Sequence, residues 1–208
     1  MIRKIIKGYK KLRFSTTDYW ENRYRKGGNS GSGSYGKKAT YKASVVNEII
    51  KKYDISFMLE FGCGDGNNLH FFEVDRYLGF DISKSAIEIC IKKYLKDQKK
   101  SFIYYQPNLF KAGALKAELT VSLEVIFHLI EDSTFQKYMN DLFESSSKYV
   151  LVCSTNEHNK NNNSIHLKHR KFTNHIPSHF SLLEHIETPS SLKAQGFLSD
   201  FYLFRRNF

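Results

Sequence analysis

The residues Glu60-Phe61-Gly62-Cys63-Gly64-Asp65-Gly66 are the most chemically telling in the chain. They follow an apolar run, Phe57 to Phe61, and precede Asn67 to Phe72, which reads as a helix. Glycines at such a turn let the backbone come close to a ligand, because no Cβ intervenes. The spacing is GxGxG; a dinucleotide fingerprint, GxGxxG/A, wants Gly or Ala where Asn67 stands. Glu60 and Asp65 would also repel a pyrophosphate. An acid-bearing loop of this kind suits a ligand with a cationic part and no phosphate. The next apolar run ends at Asp81, nineteen residues after Gly62. A carboxylate there can accept both hydroxyls of a ribose, and Ile82 beside it can cover an adenine face. The plainer reading is a tight turn followed by a helix that Asp81 caps.

These residues need parallel strands whose carboxyl ends meet at one edge, and the sequence supplies the alternation that builds such a sheet. Strand-like runs at Phe57–Phe61, Tyr77–Phe80, Phe102–Tyr105, Leu119–Leu123 and Tyr149–Cys153 alternate with helix-like Asn67–Phe72, Ser83–Lys96 and Asp132–Glu144. The strands are too apolar to have one wet face, which predicts a mainly parallel sheet covered by helices. Phe180–Glu187 and Phe197–Arg206 read as two further strands, an antiparallel addition at one sheet edge. Upstream, Ser15 to Thr17 offer N-caps for a short helix over Asp18 to Arg25, and Val45, Val46, Ile49 and Ile50 mark a helix within Lys38 to Tyr53. Between them Gly27 to Gly36 holds five glycines in ten residues and reads as a loop or linker. Residues 154–179 are polar and histidine-rich, the texture of a long functional loop.

The chain resembles the class I S-adenosylmethionine-dependent methyltransferases. Glu60 to Gly66 matches that family's first motif and Asp81 its second-strand acid, over roughly residues 15–206. Within the family it is similar to bacterial small-molecule methyltransferases encoded with surface (capsular) polysaccharide genes. Those share a Trp-x-x-Arg-Tyr element, here Trp20 to Tyr24, and a Gly-Gly-x-Ser-Gly-x-Gly-Ser-Tyr-Gly loop, here Gly27 to Gly36. The resemblance implies an α/β, Rossmann-like, seven-stranded, mostly parallel sheet with helices on both faces and an antiparallel C-terminal edge strand. It implies one domain over 1–208: an arm and cofactor-covering loop (1–36), a cofactor core (37–153), and an acceptor loop with terminal strands (154–208). It implies S-adenosyl-L-methionine as cofactor, S-adenosyl-L-homocysteine being the product. Trp20, Ser34 and Tyr35 would close on the cofactor, with Arg23 or a loop amide near its methionine carboxylate. Glu60, Gly62, Cys63, Gly64, Asp65, Asp81, Ile82 and Leu123 complete that set. Many family members place an Asp after the third strand to meet adenine; this chain has Gln106-Pro107-Asn108, so Gln106 or Asn108 is expected there.

Methyl transfer from a sulfonium needs an aligned nucleophile and a dry site, plus a base where the acceptor is a hydroxyl. Glu124 and His128 stand four apart after the fourth strand and are expected on one helical face. His128 is the candidate base, a structural histidine the alternative. Tyr24, His166, His169 and Arg170 are expected to bind the acceptor, Arg170 gripping an anion in bidentate fashion; an exposed basic loop is the plainer reading. A metal site from His158, His166, His169 and His175 is not expected, since no H-x₃-H pair or acid fixes a geometry.

The +11 formal charge, 32 basic against 21 acidic residues, raises nucleic acid as a partner. The chain lacks the Pro-Pro-aromatic motif of amino-directed DNA methyltransferases, having Leu123-Glu124-Val125, and no cysteine follows a proline as cytosine-C5 enzymes require. The charge concentrates in Met1–Phe14 and Lys160–Lys171, which reads as a basic surface with one anion-accepting edge. A noncatalytic module whose Met1–Phe14 arm lies on anionic lipid or a partner is the competing class. No apolar run approaches the roughly 18–20 residues of a membrane span. Cys63, Cys90 and Cys153 lack CxxC spacing and read as reduced thiols, so a cytoplasmic enzyme is expected, methylating a small, anionic acceptor at oxygen.

Overall fold

The computed structural model describes residues 14–158 and 166–207. Its first helix, α1 (Thr16–Arg25), starts on Ser15, whose side chain accepts from the Asp18 amide. A 3₁₀ turn (Ser32–Ser34) leads to α2 (Gly36–Lys52) and then to β1 (Phe57–Phe61), β2 (Arg76–Asp81), α3 (Lys84–Lys93), β3 (Lys100–Tyr104) and β4 (Ala117–Leu123). A second 3₁₀ turn (Ile126–His128) precedes α4 (Asp132–Glu144), β5 (Ser146–Ser154), β6 (Phe180–Ile186), the short α5 (Ser190–Lys193) and β7 (Asp200–Arg206).

The sheet has seven strands in the order β3-β2-β1-β4-β5-β7-β6. Strands β1 to β5 pair in parallel; β7 runs antiparallel to both β5 and β6. This is the expected mostly parallel sheet, with the antiparallel C-terminal strand β7 inserted between β5 and the outer strand β6.

Strand alternation sorts the core into two layers. Met58, Leu119, Val121, Leu151 and Leu203 face α2, packing on Val45, Val46, Ile49 and Ile50. Leu59, Phe61, Val150, Val152 and Phe204 face α4, meeting Phe135, Met139, Leu142 and Phe143. Each such side chain contributes about 1.5–3 kcal/mol on burial, so the two layers hold the sheet as a fixed platform.

Two expected elements differ. The helix read at Asn67–Phe72 is a single 3₁₀ turn, Asn68–Phe71. The side-chain amides of Asn67 and Asn68 bond outward to the Ser34 carbonyl and hydroxyl, and residues so engaged support helix propagation poorly. The last strand starts at Asp200, since the Phe197 amide turns back onto the Leu192 carbonyl. The basic arm, apart from Phe14, and the asparagine run 159–163 lie outside the described residues. No described helix is long and apolar enough to cross a membrane.

Phe143 is fully buried, 5.0 Å from Phe180 and 5.5 Å from Phe204 between ring centroids. Phe143→Ala is expected to cost about 3–5 kcal/mol, read as a lower denaturant midpoint at unchanged slope.

Candidate active site

The parallel register sets Phe61 beside Phe80 and Glu60 beside Val121, so β1, β2 and β4 end at one edge. The loop after β1 folds onto β2: the Gly62 and Cys63 amides both donate to the Phe80 carbonyl, at 2.7 and 2.9 Å. Gly62 adopts φ 81, and a Cβ there would stand 2.4 Å from Val125 Cγ2. Asp81 is buried and accepts from the Gly64 amide through Oδ2 and the Ser83 amide through Oδ1, both at 2.8 Å. Burial pushes its pKa up to about 6, against the pull of those amides.

Over this edge lies a cover built by α1 and the glycine-rich segment. Thr16 ties one end of α1 to Glu131, Oγ1 to Oε2 at 2.6 Å. Glu21 ties the other by accepting from Ser83 Oγ, Ser85 N and Ser85 Oγ at 2.6–3.1 Å. The glycine segment is ordered against the first motif rather than being a free linker. The Ser30 amide donates to Asp65 Oδ2 at 3.0 Å, the Asp65 amide returns a bond to Ser30 Oγ at 3.0 Å, and Tyr35 Oη donates to the same carboxylate at 2.7 Å. A Cβ on Gly64 (φ 57) would stand 2.3 Å from Ser30 Oγ and 2.8 Å from Tyr24 Oη, so the closed cover requires glycine there. Between cover and sheet edge is a cavity of about 490 Å³, a size for a small-molecule ligand.

Many of the sequence-derived residues meet in this cavity. The cover contributes Trp20, Arg23, Tyr24 and Ser34. The strand ends contribute Gly62, Cys63, Gly64, Asp81, Ile82 and Leu123. Glu124, His128 and His166 complete them from later loops.

Others are placed elsewhere, each for a physical reason. Glu60 shares the α2-facing side of β1 with Met58 and accepts from Tyr77 Oη at 2.5 Å; burial pushes its pKa up to about 7. Asp65 and Tyr35 hold the cover and do not line the cavity. Gln106 and Asn108 are exposed, while Tyr105 fills the expected place, donating to Asp141 at 2.5 Å. Arg170 is buried and turned inward, donating to the Leu129 and Ile130 carbonyls at 2.6 and 3.0 Å and to Asp132 at 2.8 Å. Its guanidinium also lies over Phe135, so it fastens the loop instead of gripping an acceptor. His169 shares a 2.6 Å bond with Thr155 Oγ1, outside the cavity.

Glu124 and His128 do not share a helical face. Glu124 has φ 61, which breaks any helix before the turn at Ile126. His128 meets Trp20 edge-on at 5.0 Å, and its Nδ1 is 3.2 Å from the His166 carbonyl. Burial drives its pKa down to about 4, keeping the ring neutral. A carbonyl can only accept, so Nδ1 carries the hydrogen and Nε2 keeps a lone pair.

Sequence reasoning missed Lys38, Asn68, Tyr105 and Tyr138, which line the cavity, and Lys42, buried behind it. Lys42 carried a readable signal: it stands among Ala39, Val46 and Ile49, at the spacing of a buried helical stripe.

No protein-family model and no curated protein matches the chain. Solved structures match its fold. The N-methyltransferase NodS from Bradyrhizobium japonicum in complex with S-adenosyl-L-homocysteine is similar at TM-score 0.69 and 12% identity, over 93% of this chain and 99% of that one. This is a class I methyltransferase fold. Magnesium protoporphyrin IX methyltransferase from Synechocystis, with bound S-adenosylmethionine, is similar at TM-score 0.63 and 14% identity, over 93% and 98%. An S-adenosylmethionine-dependent methyltransferase from Clostridium acetobutylicum gives TM-score 0.60 and 10% identity, over 85% and 94%.

Gly64→Ala is expected to lift the cover: hydrogen exchange of the 28–36 amides should rise about tenfold or more while β1, β4 and β5 stay protected. Glu60 adds a pH signature. Its folded pKa lies above the ordinary value of 4.5, so its contribution is full at acid pH and is lost as pH rises towards about 7. Glu60→Gln should flatten that part of the stability profile measured by denaturant titration.

Proposed function

We propose that the chain is an S-adenosylmethionine-dependent methyltransferase that transfers methyl to oxygen on a small, anionic acceptor. The observation that carries this is the cradle at the ends of β1 and β2: positive-φ glycines with no room for a Cβ, closed by Ser30 and Tyr24 above and backed by the buried Asp81. It lies in a fold shared with methyltransferases whose structures hold S-adenosyl-L-homocysteine or S-adenosylmethionine. The residues fit the group. Asp81 would take the ribose hydroxyls, Ile82 and Tyr105 would hold the adenine, and the backbone at Gly62 and Gly64 leaves room for the ligand's close approach.

Bound there, S-adenosylmethionine would supply an electrophilic methyl on a sulfonium that departs as a neutral thioether. The protein's part is alignment and exclusion of water. α1 and the Ser30 segment roof the site, and the rings of Tyr19, Trp20, Phe127 and His128 line it. His128, neutral with its Nε2 lone pair, would take the acceptor hydroxyl proton, while the Nδ1 hydrogen stays on the His166 carbonyl. With Arg170 committed internally and Arg23 assigned to the methionine carboxylate, the cation left for an acceptor anion is Lys38, which lines the cavity and makes no ion pair among the described residues. A role in surface-polysaccharide synthesis in the cytoplasm belongs to the same reading; it is supported by the Trp20–Tyr24 and Gly27–Gly36 motifs and by three free, buried thiols.

Calorimetry should show S-adenosyl-L-homocysteine binding that weakens about tenfold or more in Asp81→Ala; no binding, or binding indifferent to Asp81, contradicts the reading. A labelled-methyl screen over phosphorylated and sugar-nucleotide metabolites should identify the acceptor. His128→Ala should then lower turnover about 100-fold or more, and wild-type turnover should show no acid limb above about pH 5.5, because burial holds the His128 pKa near 4. Turnover within a few-fold of wild type in His128→Ala would remove the base assignment.

A further inference from the structure

We infer that Glu124 and Asn68 form an ammonium-binding corner for the amino-acid end of the ligand, with Lys42 as the positioning residue that fixes Glu124. The inference rests on the cofactor reading above.

Among the described residues only two carboxylates line the cavity, Asp81 and Glu124. Asp81 is assigned above to the ribose hydroxyls, and Glu60 and Asp65 are turned to Tyr77 and to the cover. A cation in the cavity therefore meets Glu124. This residue occupies the left-handed region, φ 61, without being glycine. Such a conformation persists only where its surroundings enforce it, and it clusters at functional sites. Here the Glu124 amide bonds the Cys153 carbonyl at 2.8 Å, which holds the strained residue at the end of β4.

The carboxylate is fixed as firmly. Glu124 Oε2 lies 3.3 Å from Lys42 Nζ, Oε1 accepts from Ser199 Oγ at 3.4 Å, and the Lys42 side chain is 0% exposed. A lysine in an apolar helix stripe is costly to bury without a charged partner. Glu124 is that partner, and Lys42 in return limits where the carboxylate can swing.

Asn68 supplies an independent observation. It is 7% exposed, lines the cavity, and its Oδ1 is buried with no hydrogen-bond partner among the described residues. A buried acceptor without a donor is destabilising unless something fills it. Its Nδ2 is 3.5 Å from Ser34 Oγ, while Gly33 packs so closely that a Cβ there would stand 2.1 Å from Glu124 Oε2. The Asn68 side chain and the Glu124 carboxylate thus both reach the Ser32–Ser34 turn. A charged carboxylate and a neutral amide oxygen lining one cavity suit an ammonium, which carries three donors and no acceptor. Arg23, fixed through Nε on the Asn29 carbonyl at 2.6 Å, lines the same cavity with the opposite charge. Together they complement both halves of an amino-acid zwitterion.

The test compares S-adenosyl-L-homocysteine with 5′-methylthioadenosine, which keeps the adenosine and thioether but lacks the amino-acid end, by calorimetry on the full chain. Wild type should bind the former more tightly. Glu124→Gln should weaken S-adenosyl-L-homocysteine about tenfold to a hundredfold and leave 5′-methylthioadenosine within about twofold; Asn68→Ala should act in the same direction. The double variant Lys42→Met with Glu124→Gln leaves no buried lysine unpaired and should show the same selective loss, with 5′-methylthioadenosine binding as the check that the pocket is intact. Unchanged S-adenosyl-L-homocysteine affinity in Glu124→Gln, equal losses for both ligands, or equal wild-type affinities overturn the corner. A wild type that binds neither ligand overturns the cofactor reading itself.

Discussion

Ser30 and Asp65 hold each other by two hydrogen bonds running in opposite directions, amide to carboxylate and amide to hydroxyl, across 35 residues of sequence. The cavity exists because of this pair. Without it, a segment with five glycines in ten residues would keep its conformational freedom and the sheet edge would be an open groove. Burial alone would raise the Asp65 pKa, but the bonds from Tyr35 and Ser30 bring it below the ordinary carboxylate value, so the acid stays ionised. Once the pair forms, Gly64 lies directly under Ser30 and Tyr24, and any side chain there would force the cover off.

The two faces of the sheet serve the site differently. On the α4 side, two core tyrosines are anchored: Tyr138 Oη bonds the Phe61 carbonyl and shares a bond with Ser122, and Tyr105 donates to Asp141. That side fixes positions. On the α2 side, Lys42 stands close to Glu60 and pairs with Glu124, bringing charge to the back of the cavity. A buried ion pair of this sort gives little net stability; its value lies in where it holds a carboxylate. Burial lowers the pKa of both His128 and His166, so these lining residues offer rings more than cations at neutral pH.

Much of this arrangement was legible in the sequence because it is local. Strand alternation, the GxGxG turn and Asp81 depend on short-range spacing, and they stand in the structure where that spacing puts them. Trp20 and Arg23, expected from the resemblance to meet the cofactor, line the cavity. What could not be read depends on side-chain direction and long-range closure. Period-two alternation carries Glu60 to the face opposite its neighbours Leu59 and Phe61. Arg170 reads as a free cation until Leu129, Ile130 and Asp132 take its donors. Glu124 and His128 look like helical neighbours until one positive φ separates them. Asn68 becomes informative only when its unpaired oxygen is seen.

The central claim is that the glycine segment closes over a cofactor held at the ends of β1 and β2. Hydrogen exchange read segment by segment, with and without S-adenosyl-L-homocysteine, tests it most directly. Added protection is expected at 28–36, 62–68, 81–85 and 123–125, with the β6–β7 end of the sheet unchanged. Protection gained at the β6–β7 end and not at 28–36, or none at saturating ligand, would contradict it.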